Sequence, residues 1–377
     1  MSDKRSIFIS AGDPSADYYG KELLTEIGRV CGKAEFFGLG GPLMQQAGLR
    51  PLADHRELAV LGFWEIVPKF FFFKSLLNKA VREISEAKPK AVILIDYPGF
   101  NLRLAERIKH LNIPIVYYIS PQVWAWGKKR VFKIKELIDL MLVIFPFEET
   151  FYKEHGVTAK FTGHPIVDRF ENIPGKAECR ERLDFHEMTF ALLPGSRVQE
   201  VKRMLPAMVD AARRIKEHMP SAEFVIGGVE HVPLEIYHSI IGDALIPIVI
   251  GRTPEIMCAA DLVIVSSGTA TVETAYFATP MIVVYKTGAL TYQIARRLIT
   301  LDSIGMVNIV AGQKVVPEFI QHAVTGENLA REALDIINDK GRLAQMVMDL
   351  KMVRDRLGDG DAAARAFLEM NKALDIC

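Results

Sequence analysis

Three loops carry residue types whose order could do chemistry. Residues 95–101 read Ile-Asp-Tyr-Pro-Gly-Phe-Asn, so Asp96 ends a buried apolar run and enters a proline–glycine turn. A carboxylate held there suits a general base acting on a hydroxyl. It also suits a helix N-cap, a task that Asn101 could share. Residues 193–197, Leu-Pro-Gly-Ser-Arg, place Gly195, Ser196 and Arg197 after a second apolar run. A glycine turn lets backbone amides come close and an arginine can grip phosphate with two N–H groups, although a plain turn with a solvated arginine uses the same letters. In the third loop, residues 262–284, a β-branched run turns through Ser267, Gly268 and Thr269, continues at helical spacing and meets Pro280 before a second apolar run. Unpaired amides at a helix start attract anions, which suits Gly268, Thr269, Ala270 and Thr271 to a diphosphate. Glu273, about one turn deeper, could accept from a ribose hydroxyl; a well-capped buried helix is the other reading.

Further along lie weaker signals. Residues 120–126 contain Gln122, Trp124 and Trp126, aromatic rings that could stack on a sugar, touch lipid or simply pack. Lys128, Lys129, Arg130, Lys133 and Lys135 follow, interleaved with Val131, Phe132 and Ile134. Such a basic amphipathic segment suits an anionic headgroup or substrate phosphate, or a solvated helix face. Residues 60–77, VLGFWEIVPKFFFFKSLL, include Phe63, Trp64, Phe70, Phe71, Phe72 and Phe73. They are too few to span a bilayer and read as a core helix or one that inserts shallowly into a leaflet. The Asp359-Gly360-Asp361 triplet reads as a turn and cap. His164, in Gly-His-Pro, reads as a hinge or cleft residue, no HxxxH pair occurs, and neither a GxSxG elbow nor a GxGxxG fingerprint is present.

These loops need a scaffold. Apolar runs at residues 6–12, 34–39, 91–95, 113–119, 141–147 and 159–163 alternate with helical spacing, and after a polar break at 172–176 the alternation restarts at 189–193, 223–226, 246–250, 262–265 and 281–284. The pattern predicts an α/β chain of two parallel-sheet domains, 1–170 and 171–340, with ligand loops facing a cleft beyond the strand ends. A helical segment, 341–377, closes the chain. Its length of 377 residues allows two cores, and 46 basic against 46 acidic residues point to no nucleic-acid partner. The four cysteines are scattered without a CxxC pair, which suggests a reducing compartment and no zinc site. The start enters a strand directly, reading as a mature cytoplasmic N-terminus.

Taken together, DYPGFN at 96–101, SPQVWAW at 120–126, KKRVFKI at 128–134, TGHP at 162–165, LPGSR at 193–197, SGTATVE at 267–273 and NIVAG at 308–312 resemble the lipid-A-disaccharide synthase family of Gram-negative bacteria. The resemblance runs in order along nearly the whole chain. It implies a GT-B glycosyltransferase of two Rossmann-like domains acting in lipid A and lipopolysaccharide biosynthesis. The donor would be UDP-2,3-diacylglucosamine, the acceptor 2,3-diacylglucosamine 1-phosphate (lipid X), and the products a β-1,6-linked disaccharide 1-phosphate and UDP. Asp96 matches the family's catalytic aspartate, and Arg197, Glu273 and Asn308 match its nucleotide site. The family pattern AGEASGD reads here as residues 11–17 with Asp13 for glutamate and Ala16 for glycine, so Asp13 is the alternative base.

The expected donor site adds Met204 to the residues of the two phosphate-type loops, and the expected acceptor site takes Ser15, Asp17, Asn101, Gln122, Trp124, Arg130 and His164. No metal or other cofactor is expected, because an arginine and helix-start amides can hold a leaving diphosphate. The resemblance also implies a peripheral enzyme on the cytoplasmic face of the inner membrane, touching the inner leaflet through the apolar segment at 60–77. A homodimer is suggested, with the tail exchanged between copies or packed back on its own N-terminal domain. The rival readings are an enzyme like UDP-N-acetylglucosamine 2-epimerase and a peripheral protein that binds nucleotide or lipid without turnover.

Overall fold

The computed structural model describes residues 6–53, 66–125, 130–288 and 303–377, with side chains from Phe72 onward in the helix Ile66–Ala87. The chain forms two compact units, Met1–Asp168 with Gly358–Cys377, and Arg169–Leu357.

Unit 1 is built on a seven-stranded sheet: β1 (Ser6–Ala11), β2 (Glu35–Leu39), β3 (Leu49–Pro51), β4 (Ala91–Ile95), β5 (Ile115–Tyr118), β6 (Leu140–Val143) and β7 (Ala159–Phe161). The strands lie in the order β3-β2-β1-β4-β5-β6-β7, and every described pairing is parallel. The central strands are buried on both faces, which is why they read as unbroken apolar runs. Phe8, Val92, Leu94 and Tyr117 share one core with Leu104, Ile108, Val131 and Ile134 of the covering helices.

Unit 2 repeats the plan with β8 (Thr189–Leu193), β9 (Glu223–Gly228), β10 (Ile248–Ile250), β11 (Leu262–Ser266), β12 (Met281–Tyr285) and β13 (Glu318–Ile320), ordered β10-β9-β8-β11-β12-β13. Both sheets reverse direction of growth beside their first strand, between β1 and β4 and between β8 and β11. Open parallel sheets bind ligands outside the carboxyl ends of their strands at such a switch point.

Several expectations need adjustment. Pro146 begins the helix Pro146–Glu154, so β6 stops before the run predicted at 141–147. The short edge strands β3 and β13 carry too little periodicity to be read from the sequence. The tail divides: helix Lys340–Asp355 belongs to unit 2, against Thr269–Tyr276 and Met306–Ala311, and only Gly358–Cys377 joins unit 1, where Ala362–Leu374 packs on Pro14–Cys31. Asp168 anchors that return by accepting from the backbone amides of Asp361 at 2.5 Å and Ala362 at 2.9 Å. Against the expectation of free thiols in a reducing compartment, Cys31 and Cys377 are disulfide-bonded with Cα atoms 5.1 Å apart, because the returning helix brings the chain end to the end of the first helix. Cys179 and Cys258 remain thiols. Among the described residues no helix is long and apolar enough to cross a membrane, and no cluster of three or more His, Cys, Asp or Glu could hold a metal ion.

Candidate active site

In unit 1 the loops after β1 and β4 flank the switch point. Asp96 and Tyr97 both adopt left-handed backbone conformations, with φ of 44° and 50°, which residues with a side chain rarely do. Neighbours hold them there. The Asp96 amide donates to Tyr118 O at 3.0 Å, and its carbonyl accepts from Tyr117 Oη at 2.6 Å and Asn101 Nδ2 at 2.7 Å. The Tyr97 ring lies where a side chain on residue 12 would be, so Gly12 must be glycine for the two loops to meet. Burial and the nearby Asp13 charge raise the Asp96 pKa to about 6, against the lowering effect of the Tyr97 amide. Asp13 is less free, because its Oδ1 caps the first helix by accepting from Ala16 N at 2.8 Å.

The other acceptor candidates divide by burial. Asp17 is 6% exposed, and its carboxylate accepts from the amides of Gly41, Leu43 and Met44 at 2.8, 3.1 and 3.1 Å. It caps the helix Pro42–Gln46 and is not open to a sugar. Asn101 is buried, accepting from Ser10 Oγ at 2.7 Å while clamping the Asp96 carbonyl, so it supports the loop from beneath. His164 is buried against Phe145, accepts from Ile166 N at 3.1 Å and is pushed down to about 3 by burial, which keeps it neutral. Trp124 is buried and donates to Glu148, whereas Ser15, Gln122 and Arg130 are exposed. Trp126, Lys128 and Lys129 lie outside the described residues.

Of the apolar segment, Phe63 and Trp64 lie outside the described residues, and for Phe70 and Phe71 only the helical backbone is described. Phe72 and Phe73 are half-buried on the unit 1 core, with Phe73 5.3 Å from the Phe100 ring and 6.0 Å from that of Tyr97. These two pack on the core with one side and leave the other accessible.

In unit 2 the loops after β8 and β11 flank the second switch point. The first is already occupied by a carboxylate of its own chain: Glu200 Oε2 accepts from Ser196 N at 3.0 Å and Arg197 N at 3.2 Å, and Oε1 from Arg197 Nη1 at 3.3 Å. Gly195, at φ +110°, could carry no side chain there without meeting Glu200. The Arg197 side chain is 69% exposed, with its Nη1 paired to Glu200. At the second loop Gly268 precedes the helix Thr269–Tyr276 without a side-chain cap, and Thr269 is exposed at its start. Ser267 donates to Ile304 O at 2.9 Å, and buried Thr271 donates to Gly268 O at 2.8 Å, so both hydroxyls hold the loop. Ala270 lies half-buried at the helix start. Glu273, one turn in, is raised by burial and countered by Arg169, 3.9 Å away.

Two donor candidates are placed elsewhere. Met204 is fully buried in the core under the helix Val198–His218. Asn308 uses its whole amide internally: Nδ2 donates to Val316 O at 3.0 Å and Glu318 Oε1 at 2.7 Å, while Oδ1 accepts from the amides of Val315 and Val316 at 2.8 and 3.0 Å. Sequence reading missed Tyr117, Glu148, Glu200 and Glu318. A proline at the first helical position with glutamate two residues on marks Glu148 as a cap, but nothing local shows its longer contacts.

Two Rossmann-like units, each with glycine turns or a helix start at its switch point, define the GT-B class. A calicheamicin glycosyltransferase superposes with TM-score 0.60 at 13% identity over 99% of each chain. UDP-GlcNAc 2-epimerase from Neisseria meningitidis, bound to UDP-GlcNAc, does so with TM-score 0.64 at 10% identity over 97% of this chain and 99% of that one. These two show the fold alone. The lipid-A-disaccharide synthetase family model matches residues 7–367, and the lipid-A-disaccharide synthase of Anaeromyxobacter sp. (strain K) is 39% identical over 370 residues, 97% of this chain and 96% of that one. The chain therefore belongs to the lipid-A-disaccharide synthase family of glycosyltransferases.

Proposed function

We propose that the protein joins UDP-2,3-diacylglucosamine to 2,3-diacylglucosamine 1-phosphate by a single displacement that inverts the anomeric carbon. The supporting observation is Asp96: a carboxylate at a switch point, clamped through its own carbonyl and with a pKa raised to about 6, is a base matched to neutral pH. It takes the proton of the acceptor's 6-hydroxyl as that oxygen attacks. The bond to UDP breaks as the new bond forms, and negative charge grows on the diphosphate. Arg197 and the amides at Gly268, Thr269 and Ala270 meet that charge, so the step calls on no metal ion or cofactor. Glu273 accepts from the ribose. Acyl chains on both substrates call for contact with a membrane surface, at the cytoplasmic face of the inner membrane in this reading, and a homodimer belongs to it as well.

The test is UDP release from UDP-2,3-diacylglucosamine with and without acceptor. Release that requires acceptor, yields the disaccharide and falls about a hundredfold or more in Asp96→Asn supports the reading. Release without acceptor, with water taking the sugar, or conversion of the donor to an isomer that still carries UDP points to epimerase-like chemistry, and an unaltered donor points to a binding protein.

A further inference from the structure

The turn after β5 is gripped from one side by the helix Pro146–Glu154. Glu148, 2% exposed, accepts through Oε1 from Ser120 Oγ at 2.7 Å and Trp124 Nε1 at 3.0 Å, and through Oε2 from the amides of Ile144 at 3.3 Å and Phe145 at 3.2 Å. Tyr152, one turn on, donates to Pro121 O at 3.2 Å, and the Phe147 ring meets the Trp124 ring edge-on at 5.0 Å. The gripped turn directly follows the strand whose Tyr117 holds the Asp96 carbonyl. It therefore stands beside Asp96 on the ligand-binding edge of the sheet.

We propose that Glu148 is a positioning residue for the acceptor: its buried carboxylate sets the 120–124 turn, with exposed Gln122 at its tip, as a wall of the acceptor site next to Asp96. The inference rests on the glycosyl-transfer reading. Helix capping accounts for the bonds to Ile144 and Phe145, but not for a carboxylate reaching 28 residues back to Ser120 and 24 back to Trp124. The site also demands an acceptor on both oxygens. An indole N–H and backbone N–H groups can only donate, so of the four partners only the Ser120 hydroxyl can reverse. An amide of the same shape at position 148 turns its NH2 either against the two backbone donors or against the Trp124 N–H, where a reversed Ser120 satisfies the amide but the indole loses its acceptor. Either way the turn loses a fixed point.

Steady-state kinetics with donor and acceptor varied separately test this. Glu148→Gln is expected to raise the acceptor KM about tenfold or more, with donor KM and kcat at saturating acceptor changed less than about threefold. Trp124→Phe, which keeps a ring and removes the indole donor, moves acceptor KM the same way, and the double variant is no worse than the larger single one. A fall in kcat with both KM values unchanged, or an equal rise in both, overturns the proposal, since a merely structural residue acts so. If circular dichroism shows Glu148→Gln unfolded, Trp124→Phe alone decides: an unchanged acceptor KM overturns the proposal. A wild-type chain without acceptor-dependent UDP release fails the glycosyl-transfer reading and takes the inference with it, whereas an active wild type with unaltered variants fails the inference alone.

Discussion

Tyr117 donates its hydroxyl to the main-chain carbonyl of Asp96 at 2.6 Å, and so holds the residue proposed as the base by its backbone. Asn101 Nδ2 shares that carbonyl at 2.7 Å. Removing one clamp should loosen the left-handed Asp96–Tyr97 pair while leaving the charges in place. Tyr117→Phe is expected to lower kcat about tenfold with small changes in either KM, because a misplaced base costs rate more than binding. Steady-state assays on variant and wild type of equal ellipticity check it.

A base with a pKa of about 6 must be ionised to work, so kcat/KM should fall below pH 6, approaching tenfold per pH unit. The Asp13 charge raises this pKa, so Asp13→Asn should move the acid limb to lower pH without abolishing turnover. A limb that stays in place contradicts the coupling between the two carboxylates, and abolished turnover makes Asp13 the base.

The same shift bears on stability. Because the folded pKa lies above the unfolded one, folding favours the protonated acid; that contribution is complete below about pH 4 and is lost as pH rises through 6. Asp96→Asn should therefore be more stable than wild type at pH 8, by about 3 kcal/mol, and by little or nothing at pH 4. Thermal melts at the two pH values read the difference.

Phe72 and Phe73 are half-buried on the unit 1 core, so replacing either by serine should cost roughly 1–3 kcal/mol and lower the thermal midpoint by several degrees. Scanning calorimetry checks this. Weaker vesicle binding by these two variants then reports loss of packing as much as loss of lipid contact.

The Cys31–Cys377 cross-link closes nearly the whole chain, with a sequence separation of 346. Cys377→Ser should cost about 2–4 kcal/mol and release the last helix first. Hydrogen exchange is expected to rise in Ala362–Leu374 ahead of the sheet strands, and equal protection in variant and wild type contradicts it.

By itself the sequence determined the alternation of strands and helices, the turns that end β1, β4, β8 and β11, and the family to which the ordered motifs belong. Those features follow from apolar periodicity and from glycine, proline and aspartate at strand ends, which act over a few residues. What each polar side chain does there was decided by tertiary structure. Asp17 caps a helix starting 25 residues later, Asn308 holds the stretch that leads into β13, and Glu200 fills amides that read as a phosphate cradle. Tyr117 and Glu148 gained roles that no local pattern announces. A side chain's donors and acceptors are limited in number and go to whatever the fold brings within about 3 Å, and the chain order does not state that distance.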